Sequence, residues 1–141
     1  MRVLAVNPVL NVSDIAATVD WFAKLGWSAG FEWHDDPEDA NSQVGFASVT
    51  CGDHEIFLCR GGQGGRGKGS NTATFGPDGD ETSDKGVWMS IFVDDLDAVH
   101  DRCVNAGLEI TYPPTREPWG VREMHVRHPD GHVFRISTRS F

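Results

Sequence analysis

The feature that most limits what this chain can fold into is a repeat of the sequence on itself. The run 11–20, Asn-Val-Ser-Asp-Ile-Ala-Ala-Thr-Val-Asp, leads to Gly26, and the run 92–101, Phe-Val-Asp-Asp-Leu-Asp-Ala-Val-His-Asp, leads to Gly107. One offset of 81 residues places Val12 on Val93, Asp14 on Asp95, Ala17 on Ala98, Asp20 on Asp101 and Gly26 on Gly107 without a gap. In each copy Ser13 or Asp94 can cap a helix N-terminus, where a side-chain oxygen satisfies backbone N–H groups that have no intrahelical acceptor. Ile15, Val19 and Phe22, and then Leu96, Val99 and Cys103, fall at helical spacing and make one apolar stripe. Gly26 and Gly107 supply the left-handed stop. Two short amphipathic helices are expected.

Period-two alternation surrounds both helices and predicts strands. They fall near 3–12, 28–33, 43–50 and 55–60 in the first half, with Gly52 in the last turn. The second-half strands fall near 87–93, 109–112, 122–127 and 133–137, with Asp130-Gly131 as the turn. The order is βαβββ, twice, an α+β architecture. Residues 1–60 form the first module and 86–141 the second, joined by a Gly-, Ser-, Thr- and Asp-rich connector at 61–85. Within the connector, residues 62–69 approach a phosphate-binding loop. Gly69 stands where a magnesium-binding Ser or Thr belongs, and no helical pattern follows, so the loop reading prevails.

Charge narrows the partners. Twelve Lys and Arg against 21 Asp and Glu give −9, with acids gathered at 32–39 and 78–84. Nucleic acid needs the opposite sign over a broad face. A cationic small molecule suits this balance, as does plain solubility. Cys51, Cys59 and Cys103 are odd in number with no metal-type spacing, and are read as buried reduced thiols. No signal-peptide layout opens the chain and no apolar run is long enough for a bilayer, so a cytoplasmic protein without membrane contact is expected.

The repeat, the Val-x-Asp pattern before each helix and the segment Pro118-Trp119-Gly120 through Pro129-Asp130-Gly131-His132 together resemble the glyoxalase, bleomycin-resistance and extradiol-dioxygenase superfamily, the vicinal oxygen chelate proteins. Pro-Trp-Gly, the Arg122-Glu123 pair and the Pro-Asp-Gly turn look most like the bleomycin-resistance branch. That branch usually has Asp where this chain has His128, so a locally altered hairpin is expected there. The resemblance implies cupped mixed sheets with the helices outside. It also implies a homodimer, possible with exchanged strands, and in the enzymes metal ligands on the first and last strand of each module. Those positions are Asn7, Phe57, Trp88 and Arg135 here. Phe and Trp offer no donor, a neutral amide is weak, and a guanidinium repels a cation. No cofactor is therefore expected.

Strand parity turns Met124, Val126, Phe134 and Ile136 toward the helices and Glu123, His125, Arg135 and Ser137 toward the cup, with Asn7, Val9, Asn11, Phe57, Cys59, Trp88, Ser90 and Phe92. Trp33, Phe57, Trp88 and Trp119 could stack on a flat ligand or equally fill a core or a dimer seam, while Glu123 could meet a cation. Trp21 and Trp27, beside the first helix, read as core. His125 with Glu123 could form a relocated metal or acid–base pair, or His125 could be a satisfied cavity residue stacked on Arg135. The other histidines fall at surface or turn positions. The candidate ligand-binding set is Trp33, Phe57, Trp88, Ser90, Trp119, Glu123, His125 and Arg135. The resemblance favours metal-independent binding of a cationic aromatic antibiotic or similar natural product. Its alternative is a divalent-metal-dependent lyase, isomerase or dioxygenase with relocated ligands.

Overall fold

A computed structural model describes residues 1–60 and 86–140; the connector, with its near-match to a phosphate loop, lies outside the described residues. The chain divides into two compact units, Met1–Ser83 and Asp84–Phe141. The first contains β1 (Val9–Val12), α1 (Ile15–Leu25), β2 (Ser28–His34), β3 (Val44–Cys51) and β4 (His54–Arg60). The second contains β5 (Trp88–Phe92), α2 (Leu96–Ala106), β6 (Glu109–Glu117), β7 (Val121–Arg127) and β8 (Val133–Arg139). Each unit is one four-stranded mixed sheet, ordered β1-β4-β3-β2 and β5-β8-β7-β6. The βαβββ repeat is thus present as read.

The two sheets are built to one register. β1 runs parallel to β4 with Val9 opposite Phe57, and β5 runs parallel to β8 with Ser90 opposite Arg135. Val9 and Ser90 are separated by the same 81 residues as the sequence repeat. One face of each sheet is covered by its helix. In the first unit Leu10, Val12, Ala47, Val49, Ile56 and Leu58 are buried together with Ile15 and Phe22 of α1. In the second, Met124, Val126, Phe134 and Ile136 are buried with Leu96 and Cys103 of α2, the side that parity assigned to them. Each Val, Leu, Ile, Phe or Met among them contributes roughly 1.5–3 kcal/mol on burial. Trp21 is core, as expected, edge-on to Phe22 at 5.2 Å.

Several local expectations are corrected. The helix caps are Asp14 and Asp95, one residue beyond Ser13 and Asp94; their carboxylates accept from Ala17 N and Ala98 N, both at 3.0 Å. The position three residues before a helical N–H is the one whose side chain reaches it. Gly26 (φ 106°) and Gly107 (φ 72°) end the helices in the left-handed region. The first strand begins at Val9 and not at residue 3. Pro8 has no N–H to donate, and the ladder ends with its carbonyl accepting from Phe57 N at 2.9 Å. β6 runs on to Glu117, past the expected end at Tyr112. Its register shifts between Tyr112 and Thr115, so the irregularity absorbs Pro113 and Pro114, and an edge strand tolerates the missing donors. Cys51 is exposed, whereas Cys59 and Cys103 are buried.

Candidate functional site

The faces away from the helices carry the chemistry of both units. In the first, Phe31 of β2, Phe46 of β3 and Phe57 of β4 form an aromatic trio with centroid separations of 5.5 to 5.7 Å. A bulge in β2 between Ala29 and Glu32 brings Phe31 into it. The bulge is held by Ser48 Oγ accepting from Phe31 N at 3.1 Å, and a Cβ on Gly30 would stand 2.1 Å from that oxygen, so only glycine fits. Asn11 and Cys59 are buried on the same face, with Cys59 Sγ donating weakly to Asn11 Oδ1 at 3.8 Å. Trp33, opposite Phe46 in register, is more than half exposed and stands outside the trio.

In the second unit a single in-register row crosses all four strands: Ser90 on β5, Arg135 on β8, His125 on β7 and Tyr112 on β6. Glu123, two residues before His125, lies on the same face. Its carboxylate is 3% exposed and one oxygen, Oε2, accepts from Arg135 Nε at 2.9 Å and Nη2 at 2.8 Å. His125 Nε2 is 3.4 Å from that same oxygen, a long contact. The imidazole stands edge-on to Trp88 at 5.2 Å and tilted against Tyr112 at 4.8 Å. Tyr112 Oη donates to Glu117 Oε1 at 2.5 Å, and this bond raises the phenol above its ordinary pKa.

Some sequence-based roles change accordingly. Glu123 does not stand ready for a ligand cation, because it is buried and engaged by Arg135. His125 has Trp88 and Tyr112 as ring neighbours and Arg135 as its cross-strand partner. Trp119 lies in the turn between β6 and β7, beyond the ends of both strands and highly exposed. Ser90, Trp88, Glu123, His125 and Arg135 come together on one face; Phe57 and Trp33 share the first sheet. Sequence reasoning missed Phe31, Phe46 and Tyr112. Phe46 was reachable by parity, whereas Phe31 depends on the bulge and Tyr112 on the length of β6.

The positions that the resemblance assigns to metal ligands do not fit a divalent cation. Asn7 precedes β1 and its amide donates to Glu55 O at 3.0 Å. Phe57 packs in the trio, Trp88 offers an indole edge, and Arg135 brings a fixed positive charge. Among the described residues no group of three or more His, Cys, Asp or Glu is arranged to hold a metal ion.

His128 and His132 flank the β7–β8 turn, within the expected surface or turn positions, but both are buried there, with rings 5.7 Å apart. His128 Nδ1 accepts from Asp130 N at 3.0 Å, and His132 Nδ1 accepts from Val87 N at 3.1 Å. The first bond is the one an Asp at position 128 would make in an Asx turn. The hairpin therefore closes with its usual backbone bonds, His128 N to His132 O and Gly131 N to His128 O, both 2.8 Å, and the expected distortion is absent. Burial pushes His128 down to about 4, with Asp130 opposing and His132 adding to the shift.

This geometry, two helix-backed sheets of one register with first and last strands paired in parallel, is that of a known superfamily. The chain belongs to the glyoxalase/bleomycin resistance protein/dioxygenase superfamily, whose family model matches residues 4–136. Among solved structures, TioX from Micromonospora sp. ML1 is similar at a TM-score of 0.74 and 21% identity, over 96% of this chain and 99% of that one. A glyoxalase-related enzyme from Clostridium phytofermentans gives 0.71 and 19% over 99% and 97%. A bleomycin-binding protein complexed with bleomycin gives 0.64 and 19% over 98% and 100%. At these identities the likeness is one of fold. A search of curated proteins finds no match.

Proposed function

We propose that this protein is a metal-independent binding protein that sequesters a small aromatic molecule, a cationic antibiotic or similar natural product. The observation that carries this reading is the replacement of potential metal donors by aromatic rings and one guanidinium on the faces away from the helices. Pockets for flat ligands combine such rings with a few fixed polar groups. The bleomycin-bound relative supports a small-molecule ligand on this fold. Positive groups of the ligand would be met by acidic side chains, in keeping with the formal net charge of −9. We place the protein in the cytoplasm as a homodimer; among the described residues no helix is long and apolar enough to cross a membrane. The apolar arm Val3, Leu4 and Val6, exposed ahead of β1, supports pairing with a second copy.

Titration of intrinsic tryptophan fluorescence with bleomycin or phleomycin tests the reading. A saturable change at micromolar ligand, in protein that elemental analysis finds free of divalent metal, is expected. Stoichiometric metal lost on His125→Ala would instead support the enzyme alternative, for which the Glu123–His125 contact is the starting point. Light scattering at micromolar protein checks the dimer.

A further inference from the structure

The Arg135–Glu123 pair is lopsided in a way that an ion pair serving stability alone does not need to be. The carboxylate is 3% exposed, but the Arg135 side chain is 40% exposed. A guanidinium has five N–H donors arranged as a fork. Two of them, on Nε and Nη2, go to a single oxygen of Glu123 and occupy the side edge of the group. The end edge, formed by Nη1 and the outer N–H of Nη2, has no partner among the described residues. A buried carboxylate thus fixes the plane and rotamer of Arg135 while the edge that matches an oxyanion with two parallel hydrogen bonds stays available.

The rest of the face that carries Arg135 is also suited to a ligand. Ser90 is its cross-strand neighbour on β5, with a hydroxyl on the same face. Trp88, two residues earlier, is 59% exposed and contacts His125 with its ring. A polar fork on the same face as an exposed indole fits a molecule with an anionic group next to an aromatic or apolar body.

We propose that Arg135 is an anion anchor, binding an oxyanion of the ligand on its end edge while the adjoining ring of the ligand packs against Trp88. This deepens the small-molecule reading above and rests on it. Because Glu123 neutralises Arg135, selectivity comes from two directed donors and not from a net positive field. That limits it to about tenfold between an oxyanion and a neutral group of the same shape.

Calorimetric titration of the full chain with 2-naphthoate, 2-naphthyl phosphate and the neutral isostere 2-naphthamide tests the proposal. In the unmodified protein one or both anions are expected to bind about tenfold more tightly than the amide, and the tighter of the two identifies the oxyanion as carboxylate or phosphate. In Arg135→Lys, which keeps the charge and loses the fork, the ratio shrinks. In the double variant Glu123→Gln/Arg135→Met, which leaves no buried charge unpaired, it falls to near one. Should the double variant fail to fold, as circular dichroism would reveal, Arg135→Lys carries the comparison. Equal binding of anion and amide by the unmodified protein, or a ratio that survives loss of the fork, overturns the anchor and leaves the aromatic-site reading standing. Binding of none of the three overturns the anchor, while the aromatic-site reading stands or falls with the bleomycin titration.

Discussion

Acidification should destabilise this protein through one side chain, His128, and the effect can be worked out from the β7–β8 turn. The neutral ring accepts from Asp130 N through Nδ1, so its proton sits on Nε2. Adding a second proton removes the acceptor and places a buried donor against a backbone N–H. Burial accordingly lowers His128 from 6.5 to about 4, and the Asp130 carboxylate 3.7 Å away only partly compensates. Between those two values the unfolded chain takes up a proton at this position and the folded chain does not. Stability is therefore fully present above about pH 6.5 and is lost progressively down to about pH 4, by about 3 kcal/mol at most. Carboxylates elsewhere also titrate in this range, so the control is His128→Asn, whose amide oxygen can accept from Asp130 N without titrating. Urea denaturation of both proteins from pH 7 to pH 4.5 measures the gap. The unmodified protein should lose about 2–3 kcal/mol more than the variant across that interval. Parallel curves for the two proteins would refute the reasoning, whatever their offset at pH 7.

Two further expectations concern other parts of the fold. Cys51 is exposed, while Cys59 and Cys103 are buried and burial raises the Cys103 thiol further, so native protein treated with a maleimide should gain one label per chain quickly, at Cys51 by mass spectrometry. Prompt labelling at all three sites would contradict the packing described. Asp14→Ala and Asp95→Ala should each lower stability by about 1 kcal/mol in chemical denaturation, since each removes a side-chain acceptor from its helix start; a change at one cap alone would break the equivalence of the two modules.

How much of this could be read from the residues alone differs from level to level. The helices and the core faces were legible because periodicity is a local signal: Phe134 and Ile136 alternate with Arg135 whatever the sheet does around them. The strand ends at Pro8 and Pro113 were not, because whether a proline stops a ladder depends on which edge of the strand faces a partner. Glu123 illustrates the limit at the candidate site. Its position on the face away from α2 followed from parity, but its burial did not, since that depends on Arg135 lying across the hairpin within reach of one oxygen. His128 illustrates a different limit. A histidine in place of an aspartate looks like a lost turn former by type, and only the placement of Nδ1 shows that the same backbone N–H is satisfied.

The parallel closure of each module has a consequence for how the chain is made. Val9 waits for Phe57, 48 positions later, and Ser90 waits for Arg135, 45 later, so neither sheet can acquire its first strand until its last has left the ribosome. The opening module has all its strands by Arg60, before Trp88 is synthesised, and can be finished vectorially while its twin is still being translated.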